Sequence, residues 1–230
     1  MTAPAKQLPL VVIRPEPGNH ATCTAAHERG IEALAFPLFT IEPLAWHPPH
    51  SSFDAILAGS ANVFRHGGAA LDALKAVPVI AVGETTAAAA RAAGFTIRQI
   101  GEGGLQPVVA TLPPGRYIRI AGEDRVELAP PAGVRIETLV AYAARRSPFP
   151  RALAHVLGSG AVVLLHSGEA ARHFVTECER LGISKQSLYL ACLAPRIAMM
   201  AGEGWAGVAT ASARTDAMLL ELAIGMCQKV

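Results

Sequence analysis

The side chains best able to do chemistry in this sequence are a tyrosine and several hydroxyls that follow apolar runs. Tyr142 lies within an extended stretch at Val134–Ala143. A phenol beside a cleft can donate a proton to a leaving group. Tyrosine is also common in strands for packing alone, so a structural role is the alternative.

Two serines and one glycine-threonine turn each end an apolar run and begin a helical stretch. They are Ser60, Ser167 and the turn that contains Gly83 and Thr86. A hydroxyl at such a position caps the helix, while the same helix N-terminus can bind an anion. Glycine there permits a tight turn or a close backbone approach. Capping and ligand binding both remain open for these residues.

Several well-known site signatures are missing from the sequence. Gly158-Ser159-Gly160 precedes a strand and is therefore not a dinucleotide fingerprint, and no P-loop occurs. The histidines lack zinc spacing, and His166-Ser167-Gly168 lacks the Gly-x-Ser-x-Gly elbow. The motifs predict no metal site and no cofactor.

The elements that would position these residues alternate between short apolar runs and helical stretches. Strands are predicted at Leu10–Ile13, Phe53–Ala58, Val79–Val82, Tyr117–Ala121, Ala161–Leu165 and Leu188–Leu193. Helices are predicted at His20–Arg29, from Ala61, and at Thr85–Ala93. Continuous apolar strands that each precede a helix are typical of parallel sheets covered on both faces, which predicts the α/β class.

An internal repeat and two proline-flanked segments indicate two similar lobes. Ile56–Phe64 resembles Val163–Ala171, and Ala81–Ala87 resembles Cys192–Ala198. The extended segments Phe39–Leu44 and Val134–Ala143 have no helix of their own, and prolines surround them. We therefore expect the chain to cross between lobes near residues 40 and 143.

Composition narrows the class of protein further. The 230 residues are 51% hydrophobic with a net charge of +2, and no apolar run reaches the length of a membrane span. The absence of a Lys/Arg run argues against nucleic-acid binding. Four scattered cysteines predict reduced, mostly buried thiols in a cytoplasmic protein. Arg far outnumbers Lys, which suits bidentate anion contacts but also follows from genome composition.

The order of the motifs resembles the uroporphyrinogen-III synthase family over nearly the full chain. The motifs are Val12–Gly18, Phe53–Leu57 with Ser60–Asn62, Val82–Ala87, Ala121–Arg125, Val140–Tyr142 and Leu165–Ser167. The resemblance implies two lobes of parallel sheet flanked by helices and joined by a two-stranded linker. Together with the crossings it predicts one lobe from residues 1–37 and 147–230, a second from 44–138, and linkers at 38–43 and 139–146.

The resemblance also implies a reaction that needs no metal or organic cofactor. Hydroxymethylbilane, a linear tetrapyrrole, loses its hydroxyl as water, and ring D attacks through its substituted position to give a spiro intermediate. Fragmentation and reclosure invert ring D and yield uroporphyrinogen III. Without the enzyme the chain closes to the uninverted isomer, so the protein has mainly to hold one conformation.

Site residues follow from the resemblance position by position. Tyr142 matches the family's candidate acid for water loss, and the substrate-binding positions are Arg14, Ser60, Asn62, Gly83, Thr86, Ser167, Gly168 and Arg196. Arg196-Ile197 stands where many members have threonines, and Gly59 replaces a frequent threonine. The expected protein is a monomer in transient contact with the preceding pathway enzyme.

Two other functions fit the residues without the resemblance. One is a non-catalytic two-lobed protein that closes around an anionic small molecule. The other is an α/β enzyme that processes a nucleotide or a sugar. Neither would change the isomer ratio of a cyclised tetrapyrrole, so an isomer assay distinguishes the synthase from both.

Overall fold

The computed structural model describes residues 7–228, which form eleven strands and eight α-helices. The strands are β1 (Leu10–Val12), β2 (Ala33–Ala35), β3 (Phe39–Pro43), β4 (Ala55–Ala58), β5 (Val79–Val82), β6 (Ile97–Gly101), β7 (Gly115–Gly122), β8 (Val134–Arg146), β9 (Ala161–Leu165), β10 (Leu188–Cys192) and β11 (Gly207–Thr210). The helices are α1 (Gly18–His27), α2 (Asn62–His66), α3 (Glu84–Ala92), α4 (Leu105–Ala110), α5 (Arg151–Gly158), α6 (Gly168–Leu181), α7 (Pro195–Ala201) and α8 (Asp216–Cys227).

The chain divides into two compact units. The first takes the described residues up to Thr40 and from Arg146 onward, and the second spans Ile41–Arg145. Each unit has its own sheet and its own apolar clusters. These parallel sheets flanked by helices confirm the predicted α/β class.

The first unit contains a five-stranded sheet in the order β11-β10-β9-β1-β2, and all its pairs are parallel. Numbered within the unit, this is the doubly wound order 2-1-3-4-5. The central strand β9 is buried along its whole length because helices cover both faces of such a sheet. Because burial of the whole strand makes its sequence continuously apolar, the predicted bounds Ala161–Leu165 are those of β9.

The second unit has the same strand arrangement in a circularly permuted order, because β4, β5 and β6 precede β7 and β8 in the chain. The sheet order is β3-β8-β7-β4-β5-β6, and the five strands from β8 to β6 pair in parallel. The block β4-α2-β5-α3-β6 corresponds to β9-α6-β10-α7-β11, which is the repeat found in the sequence. Residues 123–133 connect β7 to its parallel neighbour β8 without a helix.

The two segments that were predicted to cross between the lobes form the neighbouring strands β3 and β8. The N–H of Leu44 donates to the carbonyl of Ala141, and the N–H of Ser147 donates to the carbonyl of Leu38. The residue numbers therefore rise along β3 as they fall along the facing part of β8, so these strands are antiparallel. β8 continues to Arg146, three residues beyond the predicted end.

We expect a fragment of residues 41–145 to fold alone, because the second unit is contiguous and its apolar clusters close within it. Circular dichroism should show one cooperative thermal transition. A fragment of residues 44–138 should be less stable, because it lacks the buried Ala141 and the Leu139 side chain packed beside it. Cooperative melting of residues 1–115, which lack β7 and β8, would contradict this division.

Candidate active site

The carboxyl ends of the strands in the second unit bring several predicted site residues to one sheet edge. β4 ends two residues before Ser60, and β5 ends immediately before Gly83. β7 ends at Gly122, which pairs with Tyr142 on β8. Because the strand order reverses between β7 and β4, this edge contains a topological switch point, the usual ligand crevice of open α/β sheets.

Tyr142 is half-buried at this edge and is held by its neighbours. Its ring packs against the apolar cluster that includes Ile120 and Ala141. Burial raises the pKa of the phenol, and hydrogen bonds from the Ser60 hydroxyl and the Gly122 main chain oppose part of that rise, as does the charge of Arg119. The phenol therefore stays protonated at neutral pH, which is the state a proton donor needs.

The turns after β4 and β5 differ in what they offer a ligand. The Ser60 hydroxyl accepts a hydrogen bond from the Asn62 N–H at 3.2 Å, and the helix that follows has only five residues. Gly83 has a φ of +76° and immediately precedes α3, so the tight turn itself requires glycine. Thr86 is only 5% exposed and contributes little surface for contact. The helix predicted from Ala61 begins at Asn62.

Arg14 follows β1 at the switch point of the first sheet, between β1 and β9. Its guanidinium forms an ion pair with Asp216 and lies 3.4 Å from the hydroxyl of Thr22. A Cβ on Gly18 would lie 2.5 Å from the Arg14 Nε, so only glycine leaves room for the guanidinium. Arg14 is therefore held as a fixed cation at this edge.

The remaining predicted residues of the first unit have clear local roles. Ser167 caps α6 by accepting a hydrogen bond from the Ala170 N–H at 3.0 Å, as expected for that serine. Gly168 is buried, and a Cβ there would overlap the sulfur of Met200. Arg196 is exposed in the first turn of α7 and forms no ion pair with any residue between 7 and 228.

His166 and Asp216 were not predicted, although they lie beside Arg14. The Nε2 of His166 is 3.6 Å from an Asp216 carboxylate oxygen, which is too long for a hydrogen bond. Burial, and then the charge of Arg14, lowers the pKa of His166 to about 3, with Asp216 opposing. The ring is therefore neutral at physiological pH. Asp216 begins α8 and is far from Arg14 in sequence. The local sequence shows only that Thr215 can cap this helix, and it does not indicate the contact with Arg14.

The remaining reactive groups of the described residues are the potential metal ligands and the thiols. Residues 7–228 contain no group of three or more His, Cys, Asp or Glu placed to hold a metal ion. The four cysteines are unpaired, and three of them are buried. Burial raises the pKa of Cys178 to about 12 and of Cys192 and Cys227 to about 11, so these thiols remain protonated.

A comparison with models of protein families identifies the family of the chain. The family model described as uroporphyrinogen-III synthase HemD matches residues 21–221. The chain belongs to the uroporphyrinogen-III synthase family. It is thus a lyase that carries out the cyclisation step of tetrapyrrole biosynthesis, including that of haem.

Solved structures agree with the family in fold. The enzyme is similar to uroporphyrinogen-III synthetase from Helicobacter pylori, with a TM-score of 0.61, 13% identity, and coverage of 95% of this chain and 99% of that one. It is also similar to a mutant uroporphyrinogen III synthase from the extremely thermophilic bacterium Thermus thermophilus, with a TM-score of 0.51, 15% identity, and coverage of 96% and 100%. No curated protein sequence matches the chain significantly.

The enzyme's predicted site residues thus fall on two sheet edges, one in each unit. In the second unit the structure brings Ser60, Gly122 and Tyr142 together. In the first it joins Arg14 to Asp216 and His166. No described helix has the length and apolar character needed to cross a membrane.

We expect the buried His166 to make the enzyme less stable in mild acid. Its pKa is about 3 in the folded enzyme, against about 6.5 when unfolded, so between these values only the unfolded chain takes up this proton. The stability contribution is present above pH 6.5 and is lost as the pH falls toward 3. At pH 5 the loss is about 2 kcal/mol relative to pH 7.

Urea unfolding at pH 7 and pH 5 measures this effect in the wild type and in His166→Gln. The variant should lose about 2 kcal/mol less than the wild type between the two pH values. Equal losses in both proteins would show that His166 is accessible to protons in the folded state.

Proposed function

We propose that the enzyme converts hydroxymethylbilane to uroporphyrinogen III, with Tyr142 as the proton donor to the departing hydroxyl. The observation that carries the role of Tyr142 is a half-buried phenol beside Ser60 and Gly122 at the switch point of the second sheet, where burial raises its pKa. The substrate is the one that membership of the family implies.

The chemistry assigned to the protein is modest. Departure of the hydroxyl as water requires one proton, and the phenol supplies it at the edge where substrates of α/β proteins bind. The electron-rich pyrrole already expels the hydroxyl, so the donor adds to an intrinsic reactivity. The larger task is to hold the chain so that ring D attacks through its substituted position.

Arginine side chains are the best candidates to bind the acetate and propionate groups of the substrate. The helices that begin near Thr86 and Ser167 carry Glu84 and Glu169 in their first turns, so these carboxylates already complement the helix dipoles. Arg14 and Arg196 are better placed to add bidentate contacts. Arg14 is fixed by Asp216, whereas Arg196 is exposed and without an ion pair to any described residue.

Asn62, Gly83 and Gly168 complete the proposed substrate-binding set by their positions at the ends of strands. The first residue of α2, the turn before α3 and the first residue of α6 all lie just beyond a strand's carboxyl end. The N–H groups of Asn62 and Gly83 already donate to the Ser60 hydroxyl and to the carbonyl of Gly101, so Asn62 would contribute its side-chain amide and Gly83 the space that its tight turn leaves. The proposal includes no metal or organic cofactor, and it describes a cytoplasmic monomer that meets the preceding pathway enzyme transiently.

The decisive experiment supplies purified enzyme with freshly made hydroxymethylbilane and separates the oxidised products by chromatography. We expect the type III isomer in excess, with no added metal or nucleotide and no loss of activity in a chelator. Type I product alone from well-folded protein would refute the function and favour an anion-binding protein or a nucleotide- or sugar-processing enzyme. Loss of activity in a chelator, restored by metal, would refute the cofactor-free part.

A further inference from the structure

Arg119 is a buried cation in the middle of β7, three residues before Gly122, which ends the strand. Only 7% of the residue is exposed, and its neighbours on the adjacent strands are Leu57 and Thr138. Since alternate residues of a strand point to opposite faces, Arg119 lies on the face opposite Ile118 and Ile120. The ring of Tyr142 packs with those isoleucines, so the two side chains lie on opposite faces of the sheet, although the charge of Arg119 still lowers the pKa of the phenol.

The hydrogen bonds of Arg119 do not compensate its charge. One terminal nitrogen donates to the carbonyl of Val126 at 2.8 Å, while the buried Nε has no hydrogen-bond partner. Within residues 7–228 no carboxylate lies within ion-pair distance of its guanidinium. Burial of an unpaired cation is costly, and such a group normally has a counter-ion.

A second arginine adds positive charge at the same place. Arg125 acts on Arg119 as a like charge, and after burial it is the next cause of the lowered pKa of Arg119. Both line a cavity of about 290 Å³ in the second unit, together with Thr138, Ile136 and Glu127. Glu127 is exposed and pairs with neither arginine, so the cavity combines two cations, one exposed carboxylate, a hydroxyl and apolar walls.

We propose that Arg119 and Arg125 form a binding site for a small oxyanion, a carboxylate or a phosphate, on this face of the second sheet. A cavity of this size has room for a small anion. The planar guanidinium groups supply paired N–H donors that match two oxygens of either anion. The ligand provides the counter-charge that the described residues do not.

Occupancy of the site should fix the connection from β7 to β8. Arg119 already binds the carbonyl of Val126, and Arg125 donates to the carbonyl of Glu123 at 2.9 Å. Since residues 123–133 have no helix or strand of their own, these arginines are the means by which an anion would order them. Hydrogen exchange at residues 123–128 should slow when the anion binds.

The test is thermal melting of the full-length enzyme in sodium phosphate, sodium acetate or sodium chloride at equal ionic strength. At an anion concentration about tenfold above its Kd we expect a rise in Tm of about 3–6 °C relative to chloride. Whether phosphate or acetate gives the larger rise identifies the source of the oxyanion. Hydrogen exchange in the better anion gives an independent readout.

Three variants make the result specific. Arg119→Met should melt no lower than the wild type in chloride, because an uncompensated buried cation is removed, and should lose the anion-dependent rise. Arg125→Gln changes an exposed residue, folds regardless, and should lose most of the rise. Glu127→Gln should keep or increase the rise, because it removes the one carboxylate that lines the cavity.

Three results would overturn the proposal, two from the salt series and one from Glu127→Gln. One is a wild-type Tm that is the same in all three salts. Another is an anion-dependent rise that persists in Arg125→Gln, which would mean that the anion binds elsewhere. Should Glu127→Gln melt well below the wild type in chloride, Glu127 itself is the counter-ion of these arginines and no ligand is required.

Discussion

Replacement of Tyr142 by Phe should lower kcat about 100-fold while leaving the Tm nearly unchanged. The ring keeps its packing against Ile120 and Ala141, and only the proton donor is lost. General-acid assistance is typically worth about 10²–10⁴-fold. The lower end is expected because the pyrrole already drives the hydroxyl out. Formation of the type III isomer under saturating substrate is the measurement.

Tyr117→Phe is a matched control for this variant. Its hydroxyl donates to the carbonyl of Pro113 at 3.0 Å, in the same unit but with its ring in another apolar cluster. Loss of that bond should cost about 1 kcal/mol of stability and leave kcat unchanged. If Tyr142→Phe turns over at the wild-type rate, Tyr142 is a strand residue that serves packing alone.

Gly122→Ala should reduce kcat by a similar factor without unfolding the enzyme. A Cβ at this position would lie 2.7 Å from Cε2 and 2.9 Å from Cζ of the Tyr142 ring, so the ring must shift. The clash is with the end of a side chain, which can move, rather than with the backbone. A displacement of about 1 Å at a reacting group can cost about 10²-fold in rate.

The double variant Gly122→Ala/Tyr142→Phe tests whether both changes act through the phenol. Its kcat should match that of Tyr142→Phe alone, because a misplaced donor and a missing donor have the same consequence. Gly158→Ala is the control, since nothing lies within 4 Å of a Cβ there. Multiplied losses in the double variant would show that Gly122 affects turnover independently of Tyr142.

The sequence by itself determined the α/β class, the central strands and the family. Central strands such as β9 are buried on both faces, so they appear as uninterrupted apolar runs. The turns at Ser60, Gly83 and Ser167 were also readable, because caps and tight turns depend on neighbouring residues only. Motif order then sufficed to indicate the family, which the match over residues 21–221 establishes.

Only the tertiary structure decided the edge strands and the surroundings of the reactive groups. β2, β6 and β11 were missed because an edge strand is half exposed and lacks a continuous apolar run. The ion pair between Arg14 and Asp216 and the isolation of the Arg119 Nε depend on residues distant in sequence or on the other strands of a sheet. Local sequence patterns do not predict such contacts, because the packing of the whole unit sets the distance between the side chains and how deeply they are buried.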